Sequence, residues 1–282
     1  MINDEHISFF KKNGYLIVDN IISSKELEQA RSALKNMIFF IINRVQKKFP
    51  EYKFTNINRD NVLSKGIDIL ESIDHVYISE FYDSLSMNNN PYAAKILSGD
   101  KILSSVNRLL DKDADTPLFV TSSGILFAYQ SDDLYTANKW HTDIFYTFPD
   151  SEYVHFWAPL VEDSTEELGA IHVMPGSHKN HFESEVRDDS RKDSSIYRYT
   201  VSDSLLGKYE DKTLELRLGQ GLFFDKHLVH RAGNNVSNRS RFGVIGFYHS
   251  MCNDKFTPYE FSHSKSTITA DEYFDQVIFK DQ

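Results

Sequence analysis

Three polar residues in the second half of the chain could converge on one metal ion. His141 and Asp143 stand two apart in "KWHTDIF", and His230 stands in "FFDKHLVHRAGNN". On an extended segment, side chains at i and i+2 face the same side. The pair would then offer one imidazole nitrogen and one carboxylate oxygen together. The tripeptide alone is thin evidence. With 11 histidines and 25 aspartates in 282 residues, about one His-x-Asp is expected by chance, and the chain has one.

The weight lies in the set. Two histidines and a carboxylate on one side of an ion leave three positions open, which suits non-haem Fe(II) and oxygen chemistry. A hydrolytic zinc site can use the same donors. Arg241 helps to choose between them. It follows His230 by 11 residues in "NRSRFGVIGFY", which reads as the next strand. If that strand pairs with the one carrying His230, Arg241 points into the same cavity. Its fork would suit the far carboxylate of a 2-oxoacid. His227 competes for the third ligand position, and the spacing to Arg241 favours His230.

These residues need a scaffold, and the sequence supplies one in two textures. "DEHISFFKKNG" has a helical pattern stopped by Gly14, "YLIVDN" reads as a strand, and Ser23 or Ser24 can cap a long helix. Leu27, Ala30, Leu34, Met37, Ile38, Ile41 and Val45 recur at three and four, one apolar helix face. Residues 50–115 read as helices with loops, broken at "SMNNNPY". From about 117 short β-rich runs take over, punctuated by Gly, Pro, Asn and Asp, as in an antiparallel sandwich or barrel. Residues 177–213 form a polar, charged insertion, equally a lid beside the site or a solvated loop.

Composition narrows the class. The net charge of −10 disfavours a nucleic-acid or anionic-membrane partner. One cysteine, Cys252, excludes an intramolecular disulfide and a thiolate metal cluster, and fits a reducing cytoplasm. The N-terminus lacks a signal-peptide pattern, and "MIFFII" is too short to span a bilayer.

Four stretches together resemble the phytanoyl-CoA dioxygenase family of Fe(II)/2-oxoglutarate oxygenases. They are "FFKKNGYLIVDNIISSKELEQAR", "WHTD", "FWAPLVEDSTEELGAIHVMPGSHK" and "GQGLFFDKHLVHRAGNNVSNRSR", running from about residue 7 to 249. The resemblance implies a mainly β fold with flanking α-helices, a double-stranded β-helix (jelly roll, cupin-like). One domain over 1–282 is expected, with helices in 1–115 packed on a β core in 117–250. It implies that His141, Asp143 and His230 bind Fe(II), and that Arg241 holds 2-oxoglutarate. Trp157 takes the family's cosubstrate-pocket tryptophan position. Tyr129 falls near a polar cosubstrate contact that relatives often make with lysine. Glu167-Leu168-Gly169 stands where the family has Glu-Asn-Gly and receives no role. The expected activity is hydroxylation, with O2 as oxidant and succinate and CO2 released. The substrate would be a small molecule or a carrier-linked metabolite. Related halogenases lack the metal carboxylate, whereas Asp143 is present here. Phe145, Tyr146 and Phe148 could line the substrate side or simply pack. His155 and His172 read as core histidines in strands, and His178 as a loop support. The competing readings are a non-redox metal-dependent cupin-type hydrolase or lyase, a non-catalytic metal-binding protein of the same fold, and a protein-side-chain hydroxylase.

Overall fold

The computed structural model describes residues 2–52, 54, 56–85, 90–128, 140–143, 152–180, 185–188, 198–201 and 203–251. Helix α1 (Asp4–Asn13) opens with a reciprocal cap. The Asn3 side chain accepts from the His6 N–H, and the His6 ring accepts from the Asn3 N–H. It stops at Gly14, whose φ of 80° is left-handed and whose N–H donates to the Phe10 carbonyl. Strand β1 (Tyr15–Val18) follows, then α2 (Ser24–Lys48), capped by Ser23 and Glu26. The buried face of α2 carries Leu27, Ala30, Leu34, Ile38, Ile41 and Val45, as the apolar spacing predicts, with Ile42 added and Met37 only partly buried at its edge. Residues 50–115 also form helices: a π turn at Val62–Gly66, then α3 (Ile67–Ile73), α4 (Val76–Asp83), α5 (Pro91–Leu97) and α6 (Asp100–Leu109). Asn90 caps α5 through two backbone N–H groups, with Pro91 at its first position.

The second half is β-rich. Its strands are β2 (Leu118–Ala128), β3 (Tyr153–Pro159), β4 (Ile171–Val173), β5 (Glu185–Asp188), β6 (Arg198–Val201), β7 (Lys212–Leu214), β8 (Gly221–Asp225), β9 (His230–Ala232) and β10 (Arg241–Ser250). A major sheet runs β1-β8-β3-β10-β2 and a minor sheet β7-β4-β9, with antiparallel ladders throughout. Consecutive strands alternate between sheets: β8 in the major, β9 in the minor, β10 in the major again. The arrangement is a double-stranded β-helix, the jelly roll expected.

All seven residues of β3 are buried, because both its faces are covered. Val154, Phe156 and Ala158 face the helices and share a core with Leu34, Ile38, Phe223 and Tyr248. The alternate residue Trp157 faces the minor sheet and packs with Leu222, Phe224, Ile171, Val173 and Leu214. The helices therefore brace one face of the major sheet, and the other face is left to build the site.

The insertion is not wholly loop. β5 and β6 pair as a ribbon, α7 (Asp203–Leu206) follows, and Val201 packs on Met174 and Val229. The Val201 N–H donates to the carbonyl of Trp140, the residue before His141.

Candidate metal centre

His141 and His230 are partners in an isolated antiparallel bridge. Each donates its backbone N–H to the other's carbonyl, both at 3.0 Å. This double bond brings the two rings to 4.5 Å between centroids. The His230 ring is aimed by its own backbone: Nδ1 donates to the Leu228 carbonyl at 2.9 Å, which frees Nε2 for the cluster. Asp143 closes the set. Its Oδ1 lies 3.5 Å from His141 Nε2, and its Oδ2 lies 3.4 Å from His230 Nε2. One donor atom from each of the three residues falls within 4.8 Å of the others, the spacing of ligands around one ion.

The electrostatics are those of a carboxylate between imidazoles. Burial pushes the Asp143 carboxyl up, but the facing His230 and His155 outweigh it and hold the group well below the usual range. Burial likewise pulls His230 down, and Asp143 with the Leu228 carbonyl more than reverses it, so His230 titrates above its ordinary value. The donor chemistry fits a divalent cation, which would take over the charge that His230 attracts here.

One expectation about His230 needs correction. It begins β9, after the chain turns at 226–229 beyond β8. Its strand does not pair with that of Arg241. β9 pairs with β4 in the minor sheet, whereas β10 pairs with β2 and β3 in the major sheet. Residues close in sequence are thus on opposite walls, because the jelly roll changes sheet at each turn. The inward direction of Arg241 comes from β3 instead. Gly243, Ile245, Phe247 and His249 share the face of Arg241 on β10, and they stand opposite Pro159, Trp157, His155 and Tyr153. The Arg241 guanidinium lies 5.9 Å from the centre of the Trp157 ring. His155 Nδ1 lies 3.1 Å from Asp143 Oδ2. β3 therefore joins the two parts of the site, touching the arginine and the carboxylate with side chains two residues, or roughly 7 Å, apart.

Arg241 is a part-buried cation with no carboxylate among the described residues in ion-pair reach. Its one hydrogen bond there goes to the Gly169 carbonyl. Burial alone accounts for its guanidinium being pulled down to about 10. Glycine is required at two neighbouring points. A Cβ on Gly243 would meet the Trp157 indole at 2.5 Å, so the missing side chain lets the ring lie flat on β10. Gly169 has φ +77°, and a Cβ there would meet the Gly233 carbonyl at 2.5 Å. The Glu167-Leu168-Gly169 turn, given no role from sequence, thus presents the carbonyl that holds Arg241. Its signal was the invitation to backbone approach that any glycine beside a bulky turn offers.

His227 is not part of the cluster, and its backbone N–H is held by Asp225. His172 pairs with Asp211 at 2.7 Å on the outer side of the minor sheet. His178 supports a loop as expected, with Nε2 donating to the Lys11 carbonyl. His155 is a core histidine, completely buried in β3, but it serves Asp143. Tyr129, Phe145, Tyr146, Phe148 and Cys252 lie outside the described residues.

A sequence profile described as phytanoyl-CoA dioxygenase matches residues 10–243. The chain belongs to the phytanoyl-CoA dioxygenase family. A family relative, the phytanoyl-CoA dioxygenase domain-containing protein 1 homolog of Dictyostelium discoideum, is 20% identical, over 85% of this chain and 88% of its own. Among solved structures, EvdO2 from Micromonospora carbonacea var. aurantiaca, complexed with 2-oxoglutarate, superposes with a TM-score of 0.55 at 16% identity, covering 89% of this chain and 91% of that one. The epimerase SnoN in complex with Fe3+, alpha ketoglutarate and nogalamycin RO gives 0.51 at 14% identity, covering 88% and 83%. At these identities the likeness establishes the fold. Among the described residues, no helix is long and apolar enough to cross a membrane.

Proposed function

We propose that this chain is a single-domain, non-haem Fe(II)/2-oxoglutarate-dependent dioxygenase. In this reading it oxidises an aliphatic carbon of a small molecule or carrier-linked metabolite, most simply by hydroxylation. A cytoplasmic site of action agrees with the single cysteine. The observation that carries the reading is Arg241: a part-buried guanidinium with no carboxylate in ion-pair reach among the described residues, on the inner wall that also holds the triad's carboxylate partner. A hydrolytic metal site needs no 2-oxoacid cosubstrate, so the placement of this cation argues against that reading. The far carboxylate of 2-oxoglutarate would satisfy it.

His141, Asp143 and His230 would hold the iron by one face, leaving three positions for cosubstrate and O2. When bound, iron supplies the redox chemistry that couples decarboxylation of 2-oxoglutarate, to succinate and CO2, with oxidation of the substrate. The protein's residues orient and exclude. Arg241 fixes the cosubstrate's tail, and Trp157 walls that end with an apolar ring. Leu222, Phe224 and Val173 keep water from the barrel floor. SnoN, an epimerase, shows that this fold also hosts outcomes other than hydroxylation.

The test is an anaerobic titration of the metal-free protein with Fe(II), then 2-oxoglutarate, watching for the visible metal-to-ligand charge-transfer band. His141→Ala is expected to abolish the band, and Arg241→Ala to demand far more cosubstrate. Tight Zn or Mn binding without any band would replace this reading with the hydrolase or lyase one.

A further inference from the structure

Every other large side chain of β3 and β8 that faces the barrel interior beside His155 is apolar or aromatic, and His155 itself is completely buried. Its ring is clamped. Phe247 stacks on it at 4.1 Å, Phe224 meets it edge-on at 4.6 Å, and Tyr153 lies parallel at 5.3 Å. Among the described residues Nε2 has no hydrogen-bond partner. Nδ1 stands 3.1 Å from Asp143 Oδ2, at hydrogen-bonding distance though imperfectly aligned. An apolar ring would fill this space without leaving a buried nitrogen unpaired, which costs about 1–3 kcal/mol. His155 is therefore expensive as packing, and among the described residues Asp143 is the polar side chain within hydrogen-bonding distance of it. It is also no ligand itself: the cluster of donor atoms within 4.8 Å comprises His141, Asp143 and His230.

We propose that His155 is a positioning residue for the metal-binding carboxylate, donating Nδ1–H to Asp143 so that the carboxylate grips the ion through one oxygen. The inference rests on the iron reading above. In the metal-free site three imidazoles surround the Asp143 carboxylate. Once His141 and His230 turn their Nε2 lone pairs to an ion, neither can donate to the carboxylate, and of the three imidazoles around it His155 remains as a donor. A small turn of the carboxylate aligns the pair. A carboxylate free to bind through both oxygens would occupy a fourth position. Such a grip would take a position that the cosubstrate and O2 would need. The clamp of Phe224, Phe247 and Tyr153 fixes the donor, and the donor fixes the ligand, as outer-shell partners of metal ligands do.

The test uses the full chain with Fe(II) and 2-oxoglutarate under anaerobic conditions. His155→Phe keeps an aromatic ring, His155→Leu removes the donor, and His155→Asn, similar in size to leucine, restores an N–H near the position of Nδ1. Fe(II) affinity is expected to fall about 10- to 100-fold in the Phe and Leu variants and to return to within about threefold of wild type in Asn. The charge-transfer band should shift in Phe and Leu alone. Metal-free melting temperatures of Leu and Asn should be alike. Should the Phe variant not fold, the Leu–Asn comparison decides. Wild-type affinity and band in Leu, or an Asn variant no better than Leu, overturns the proposal and leaves the iron site standing. Failure of all three variants to fold assigns His155 to packing and overturns it too. A wild-type protein that gives no band overturns both readings.

Discussion

Replacing Arg241 with Met separates a residue placed for a ligand from one placed for the fold. The guanidinium is pulled from 12.5 to about 10 by burial. Sealed from water, that shift would cost the free protein roughly 3 kcal/mol of charge desolvation, at 1.36 kcal/mol per pH unit. The side chain is only partly buried, so solvent screening trims the cost to about 1–2 kcal/mol. Removing the charge recovers this but strands the Gly169 carbonyl, which costs about 1 kcal/mol. The free variant should therefore melt within about 3 °C of wild type. A structural buried pair broken on one side would instead lose about 3–5 kcal/mol. Cosubstrate tells the other half. Unpairing the 2-oxoglutarate carboxylate should cost about 2–5 kcal/mol, or roughly 30- to several-thousand-fold in Kd. Differential scanning fluorimetry of the metal-loaded, oxygen-free protein reads both terms. At 100 times the wild-type Kd, 2-oxoglutarate should stabilise wild type by about 2.7 kcal/mol and the variant by less than about 1 kcal/mol. A ligand-free variant melting 8 °C or more below wild type, or one stabilised as much as wild type at the same cosubstrate concentration, would refute the assignment.

Gly169→Ala combines a left-handed backbone with a Cβ 2.5 Å from the Gly233 carbonyl. It should cost about 2 kcal/mol or more and weaken 2-oxoglutarate binding by displacing the carbonyl that holds Arg241, measured by denaturation and titration. His249, buried with Nε2 2.9 Å from the Thr121 hydroxyl, is pulled down to about 3 by burial, with His155 and Lys226 adding to it. The unfolded chain protonates this histidine near 6.5 and the folded one does not. Its term is therefore level above pH 6.5 and turns against the fold as pH falls toward 3, by about 2 kcal/mol at pH 5. Metal-free urea midpoints at pH 7.5 and 5 check it, and His249→Gln should lessen the difference. Leu34→Ala, in the helix–sheet core, and Val173→Ala, between the sheets, should each cost about 1–5 kcal/mol. Val173→Ala should also raise the 2-oxoglutarate Kd when both variants are folded, because it loosens the floor under Trp157; equal Kd values would contradict that.

Local signals in the sequence proved legible where neighbours in the chain are neighbours in space. Gly14 stops α1, Ser23 caps α2, and the three-and-four spacing from Leu27 to Val45 marks its buried face. The donors could be named for another reason: the chemistry admits few residue types, and His141, Asp143 and His230 do meet. What could not be read is which wall each residue stands on. A period of two tells that a strand has two faces, and Arg241 shows that it does not tell which sheet the strand joins. The Gly169 carbonyl reaches Arg241 across 72 residues, and His155 reaches Asp143 from β3 rather than from a motif. Neither contact has a local pattern, because neither is made by regular spacing.

The placement of the donors on two walls also bears on how the site keeps its shape. His141 and His230 are locked to each other by paired backbone hydrogen bonds. Their relative position is therefore fixed by this backbone bridge and needs little from the core. Arg241 and Trp157 belong to the opposite sheet, and the layer of Leu222, Phe224, Ile171, Val173 and Leu214 sets their separation from the histidines. Asp143 is different again. It is the ligand that belongs to neither ladder, and its carboxylate reaches His155 on the major sheet and His230 on the minor one. The carboxylate is thus both a donor to the ion and a polar link between the walls, beside the apolar layer between them and the bond from Arg241 to the Gly169 carbonyl. That double duty explains why the fold tolerates a buried histidine behind it.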